Sequence, residues 1–194
     1  MVFGERTYSV LVVSAGQKFR DAMAAMLPYS EYYPVCYSES VAAARRELLA
    51  RNYDFVIICA PLPDDYGTQF AIDVCSRADS VALLLLRADA YGQINAKVCP
   101  YGVFTLQLPV STQSLKQGLG WMAAARERLR RLEKKTTSIE DKMEEIRLVN
   151  RAKWILIEQL KMTEAEAHRH IEKQAMDRCV SKKEIAFGII NTYT

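Results

Sequence analysis

The chain has 194 residues, half of them hydrophobic, and a net charge of +3 from 26 Lys and Arg against 23 Asp and Glu. That is enough apolar material for a full core in water, in a chain long for one average domain and short for two large ones. The longest unbroken apolar run, Val81–Leu86, falls far below the roughly 20 residues that span a bilayer. The run Val10–Val13 is too short for the core of a signal peptide. Five Cys, at 36, 59, 75, 99 and 179, are odd in number, scattered and without CxxC spacing. A disulfide framework or zinc site is not expected, and the composition predicts a cytoplasmic protein with reduced thiols and no cofactor.

In the first 110 residues five short apolar runs alternate with helix-length amphipathic segments. Tyr8–Val13 precedes a helix at Gln17–Leu27, and a weaker strand at Tyr33–Tyr37 precedes one at Ser40–Ala50. Phe55–Cys59 leads to a helix at Thr68–Arg77, Val81–Leu86 to a short one at Tyr91–Val98, and Gly102–Gln107 to one starting near Ser111 or Thr112. Strands apolar throughout are buried on both faces, which calls for a parallel sheet with helices on each side. Five such units fit the α/β flavodoxin-like doubly wound fold, whose sites lie at the carboxyl ends of the strands.

The third strand and its loop, Asp54 to Gly67, contain Leu62-Pro63 and Gly67, and Leu108-Pro109 follows the fifth strand. With this punctuation, residues 8 to about 120 resemble the receiver domains of two-component systems. In that family the third strand carries a phosphate-accepting aspartate, and a Lys-Pro, often with a cis bond, follows the fifth. Phosphoryl transfer to a carboxylate needs that nucleophile, two acids for Mg²⁺ and a cation for the phosphoryl oxygens. By the resemblance, the acid pair falls at Ser14 and Ala15, the acceptor at Cys59, the hydroxyl at Arg87 and the lysine at Leu108. None of the five groups is present, and Asp64 and Asp65 lie too far along to replace the set. The expectation is a pseudo-receiver with neither aspartyl phosphorylation nor tight Mg²⁺ binding. A Cys closing a strand is normally a small core hydrophobe, although Arg87 nearby would lower its pKa and make it a redox switch; Arg87 could alternatively take an anionic ligand.

From Ser111 to Lys161 there is no Pro and no turn cluster. Leu115, Leu119 and Met122, then Leu132, Ile139, Met143 and Ile146, follow heptad-like steps with a slip between Leu129 and Leu132. The pattern predicts a coiled coil, and the second register puts Asn150 at a core position, which favours parallel dimers. Folding back onto its own domain is the other reading; pairing with a second copy is preferred because the faces beyond Ala123 are highly charged. Thr136-Thr137-Ser138 reads as a bend or a fresh N-cap.

The stretch Ile139–Thr194 reads as one long and two short helices. Thr163 with Glu166, and Ser181 with Glu184, have capping-box spacing. Within it, Arg151-Ala152-Lys153-Trp154-Ile155-Leu156, Met162 to Ala167, Ala175-Met176 and Ile185-Ala186 resemble, in order, the motifs of the ANTAR domain of bacterial antitermination regulators. Trp154 stands where that family usually has Gly, which either alters close packing or adds a stacking surface. The resemblance implies a three-helix module that binds RNA stem-loops with paired hexaloops, so that a stabilised antiterminator displaces a terminator. It implies domains at 1–120 (pseudo-receiver), 121–138 (helical connector) and 139–194 (ANTAR).

Residues 1–122 carry a net charge of −1 and residues 123–194 a net of +4, either a solvated helical surface or a footprint for a polyanion. Cations and edges suited to loop recognition are Arg151, Lys153, His168, Arg169, Lys173 and Arg178, with Lys182 and Lys183 beside them. Ala152, Ala167 and Ala175 read as close-packing positions. His168 and His170, two apart on a helix, do not share a face, so a metal pair is not expected. The readings in competition are an RNA-binding antiterminator, a DNA-binding response regulator, and an adaptor whose receiver-like domain docks a sensor protein or ligand. Arg178–Ser181 lacks the Gly common in helix-turn-helix turns, which weighs against DNA. No catalytic constellation is found, so an enzyme is not expected.

Overall fold

The computed structural model describes residues 7–77 and 79–193. Met1–Arg6, Ala78 and Thr194, and with them the outer ends of the expected 1–120 and 139–194 spans, lie outside the described residues. The chain forms two compact units, Met1–Arg131 and Leu132–Thr194.

The first unit holds β1 (Tyr8–Val13), α1 (Gln17–Met26), β2 (Tyr32–Ser38), α2 (Val41–Ala50), β3 (Phe55–Cys59), α3 (Thr68–Cys75), β4 (Val81–Arg87), α4 (Ala88–Val98) and β5 (Phe104–Leu108). The strands form one sheet in the order β2-β1-β3-β4-β5, all parallel. This is the flavodoxin-like parallel sheet that the alternation of runs predicts. Alternation along each strand divides the core in two. Val10, Val12, Phe55, Ile57, Leu83 and Leu85 pack on one side with Met23 and Leu27. Leu11, Val13, Val56, Ile58, Leu84 and Leu86 pack on the other with residues of α2 and α3. Burying each such side chain is worth about 1.5–3 kcal/mol. Apolarity on both faces holds for β1, β3 and β4, whereas the edge strands β2 and β5 are only half buried. The loop after β3 turns at Gly67 (φ 73°), where an added Cβ would stand 2.8 Å from Ile58 Cγ2, so only glycine fits.

α5 (Thr112–Leu160) is a single helix of 49 residues. Its start corrects one expectation: Leu115, Leu119 and Met122 are not a coiled-coil seam but part of the sheet's core, together with Leu129. A second expectation, a bend or cap at Thr136–Ser138, is also corrected. Thr136 and Thr137 donate their hydroxyls to the carbonyls of Leu132 and Glu133, both at 3.0 Å. That back-bonding leaves the helical ladder intact. Beyond, Leu132, Ile139, Met143 and Ile146 are exposed, and so is Asn150.

The second unit packs the end of α5 against α6 (Glu164–Arg178) and α7 (Lys182–Tyr193). Its core is Val149, Ala152, Leu156, Ala167, Ile171, Ala175 and four residues of α7. The three alanines let helix backbones approach closely. Thr163 caps α6 as its spacing predicts: its hydroxyl accepts from the Glu166 amide at 3.3 Å, and Glu166 accepts from the Thr163 amide at 2.8 Å. Ser181 likewise accepts from the Glu184 amide at the start of α7, at 3.2 Å. α6 ends at Cys179 in the left-handed conformation (φ 52°), which costs a non-glycine residue about 1–2 kcal/mol. The Val180 amide recovers a hydrogen bond there to the Ala175 carbonyl, 3.1 Å.

Candidate functional site

The carboxyl edge of the sheet is assembled from short polar residues and one half-buried thiol. Ser14, directly after β1, is buried, while Ala15 is exposed; Cys59 closes β3, Arg87 closes β4 and Leu108 closes β5, with a cis peptide bond between Leu108 and Pro109. Arg20 of α1 reaches this edge. Its guanidinium donates to the Ser14 carbonyl at 2.8 Å and pairs with Glu39 at 2.8 Å. Asp64 serves as a helix cap, accepting from the amides of Val41 (3.0 Å) and Ala42 (2.9 Å) at the start of α2. Those amides hold its carboxyl below the usual range, as an anion at a helix N-terminus should be held. Asp65 accepts from the Gly67 amide at 2.6 Å. Burial pushes the Cys59 thiol up, against a smaller opposing effect of Ser14. The Arg87 side chain is 66% exposed, 3.7 Å from Asp89. The thiol of half-buried Cys59 is shifted upward, not downward, which weighs against its activation by Arg87.

The amino edge carries an ionic network. Asp54, just before β3, accepts from the Ser9 amide (3.0 Å) and hydroxyl (3.2 Å), and from Arg126 and Arg130 of α5, both at 2.8 Å. Arg130 also bonds Glu127 at 2.7 Å and lies over the Tyr8 ring at 5.3 Å. Burial raises the Asp54 pKa, but Arg126, the Ser9 amide and Arg130 outweigh it and the net shift is downward. Spacing along the chain gives no sign of Arg20 or of this network.

In the three-helix unit the basic residues divide into two groups. Lys153 donates to Glu164 at 3.0 Å with its side chain 16% exposed. His168 lies 3.3 Å from Glu172, which also accepts from Lys182 at 2.5 Å. The Glu172 pKa is lowered, chiefly by Lys182 and less by His168. Lys183 pairs with Glu144, which raises its pKa. Arg151, Arg169, Lys173 and Arg178 are exposed. Among the described residues Arg151, Lys173 and Arg178 form no ion pair, and Arg169 contributes to the lowered pKa of Glu166 after the Thr163 bonds. Trp154 is 64% exposed, so its indole presents a surface and does not fill the close-packing position. The structure thus brings four exposed cations and an open aromatic onto one small unit, and engages Lys153 and His168 internally. Among the described residues no three His, Cys, Asp or Glu are grouped as a metal site.

Residues 137–190 match the ANTAR domain family model. The signal receiver domain of an HD domain-containing protein from Pseudomonas fluorescens Pf-5 superposes on 69% of this chain and 97% of its own, at 20% identity and TM-score 0.56. A CheY-like response regulator receiver domain from Methylobacillus flagellatus covers 60% of this chain and 99% of its own, at 20% identity and TM-score 0.51. CheY4 of Vibrio cholerae, a chemotaxis response regulator, covers 60% and 99%, at 17% identity and TM-score 0.53. At such identities the likeness establishes the fold. No curated protein matches the chain.

Proposed function

We propose that this protein is a transcription antitermination regulator that binds RNA stem-loops through its C-terminal helices. The premise is its make-up: a receiver-like fold followed by a long helix and an ANTAR domain. The observation that carries the reading is that the ANTAR match coincides with the unit that exposes Arg151, Arg169, Lys173 and Arg178. Cations of this kind neutralise phosphates, while exposed rings and amides meet unstacked bases in loops. Lys153 and His168 complete the set of contacts once RNA phosphates compete with Glu164 and Glu172 for them. Domains are assigned at 1–120, 121–138 and 139–194.

The receiver-like domain acts as a pseudo-receiver, with Ser14, Ala15, Cys59, Arg87 and Leu108 at the five positions where phosphorylation chemistry would need other groups. Arg20 and the capping role of Asp64 support this, since the charged groups at that edge are already engaged. Incubation with acetyl phosphate and Mg²⁺ should give no labelled protein, and stoichiometric acid-labile labelling would contradict the assignment. The exposed Leu132, Ile139, Met143 and Ile146, with Asn150, suit a homodimer through the connecting helix. The receiver-like domain is left to respond to a sensor protein or ligand. Among the described residues no helix is long and apolar enough to cross a membrane, and the setting we assign is the cytoplasm, with no catalytic role. RNA crosslinked to the protein in its host and sequenced should consist of leaders with paired hairpins ahead of terminators. Recovery of duplex DNA fragments, with RNA no richer than in a control, would overturn the function.

A further inference from the structure

The three-helix unit contains a groove of about 370 Å³ between the end of α5, α6 and α7. Leu156, Ile185 and Ile189 are among its apolar lining. The rest of the wall is polar: His170, Gln174 and Arg178 from α6, and the Glu184 carboxylate, Thr192 and Tyr193 from α7. The Gln174 amide lies 2.8 Å from His170 Nε2. An amide nitrogen only donates, so Nε2 accepts and the amide plane is fixed. This leaves the Gln174 carbonyl as an acceptor and its second N–H as a donor, side by side. Gly188 also lines the groove, and a Cβ built there would meet nothing within 4 Å. Internal packing therefore does not require a glycine, although one inside a helix is unfavourable relative to alanine. Gly92 and Gly120 are open in the same way. Gly188 differs from them in where it stands: in the wall of a groove with a fixed amide, a guanidinium and a phenol ring.

We propose that this groove, resting on the RNA-binding reading above, is the pocket for one unpaired base of the RNA loop. The apolar floor takes the face of the base, and Tyr193 (43% exposed) provides a ring for stacking. The Gln174 amide addresses a base edge with one donor and one acceptor, the pairing that suits adenine N7 and N6. Arg178 lies at the wall to meet the flanking phosphate. Gly188 keeps the α7 backbone open to close approach.

The test uses the full chain and a two-hairpin RNA with six-nucleotide loops, each loop position replaced in turn by an abasic nucleotide. One position should lower wild-type affinity at least tenfold. Gly188→Leu should reproduce that loss with the intact RNA, and lose nothing further with the abasic RNA. Gly188→Ala, which favours the helix, should raise Tm while weakening binding, and Gln174→Ala should erase the preference for adenine at that position. If wild-type protein binds the RNA but folded Gly188→Leu and Gly188→Ala bind it equally well, the groove is not the base pocket and RNA binding itself stands. If wild-type protein does not bind the RNA above duplex DNA, both readings fall. A loss of self-association without a loss of RNA affinity would assign the groove to a protein contact and overturn the proposal.

Discussion

α5 behaves differently along its two halves. Leu115, Leu119 and Met122 in the first half are buried against the sheet, while Ile139, Met143 and Ile146 in the second, at the same steps of three and four, are exposed. Spacing identifies which face of a helix is apolar; it carries no information about what covers that face. Here the change comes at the boundary between the compact units, Arg131 and Leu132. The first half packs into the core of the first unit, whereas the stretch from Leu132 to Ile146, ahead of the buried Val149, Ala152 and Leu156, leaves apolar side chains exposed.

The largest expected effects lie in the first half. Leu119→Ala should destabilise the first unit by about 3 kcal/mol, because a fully packed leucine leaves a cavity, whereas Met143→Ala should cost well under about 1 kcal/mol in the monomer. Equal losses in chemical denaturation would remove the distinction. Asp54→Ala should also cost about 3 kcal/mol, since Arg126 and Arg130 would both lose the Asp54 carboxylate in a site only 14% exposed on the Asp54 side. The folded pKa of Asp54 is lowered, so its contribution is complete above the ordinary carboxylate range and is lost as pH falls below about 4. Wild-type protein should lose more stability between pH 5 and pH 3 than Asp54→Asn; parallel curves would show that the network does not act through charge.

In the second half, Met143→Glu combined with Ile146→Glu should weaken self-association by roughly a hundredfold, a few kcal/mol of lost apolar burial, without moving the unfolding midpoint of the first unit. Sedimentation equilibrium that finds wild-type protein monomeric at tens of micromolar would end the dimer proposal. The smallest effect sharpens the continuity of the helix. Thr136→Ala and Thr137→Ala should each stabilise it by a few tenths of a kcal/mol, since alanine is the better helix former. A loss of about 1 kcal/mol would instead mark a cap that the continuous helix does not have.

What could be read from the residues was local. Val81–Leu86 and Phe55–Cys59 are apolar on both faces and could only be central strands, and the Thr163–Glu166 and Ser181–Glu184 spacings placed two helix starts correctly. α4 begins at Ala88, earlier than Tyr91, because Arg87 ends its strand extended and Asp89 suits a first turn. What escaped was pairing at a distance. Asp54 meets Arg126 and Arg130 across 72 and 76 positions, and Arg20 reaches a carbonyl whose place depends on the sheet being formed. In the candidate interface, the types of residue were legible, but their engagement was not. Lys153 falls inside a recognisable motif, yet its pairing with Glu164 of α6 depends on how two helices meet. Lys153→Ala should weaken RNA binding severalfold and leave self-association unchanged, and an equal affinity would take Lys153 out of the interface.

The antitermination reading and the base pocket both depend on the C-terminal unit binding RNA hairpins in preference to DNA. Equilibrium competition between a two-hairpin RNA and duplex DNA of equal length, over a salt series, probes that preference without intermediaries. RNA should displace the duplex at every salt concentration, with an affinity that falls as salt rises. Duplex DNA displacing the RNA, or binding of both that vanishes together at moderate salt, would contradict it.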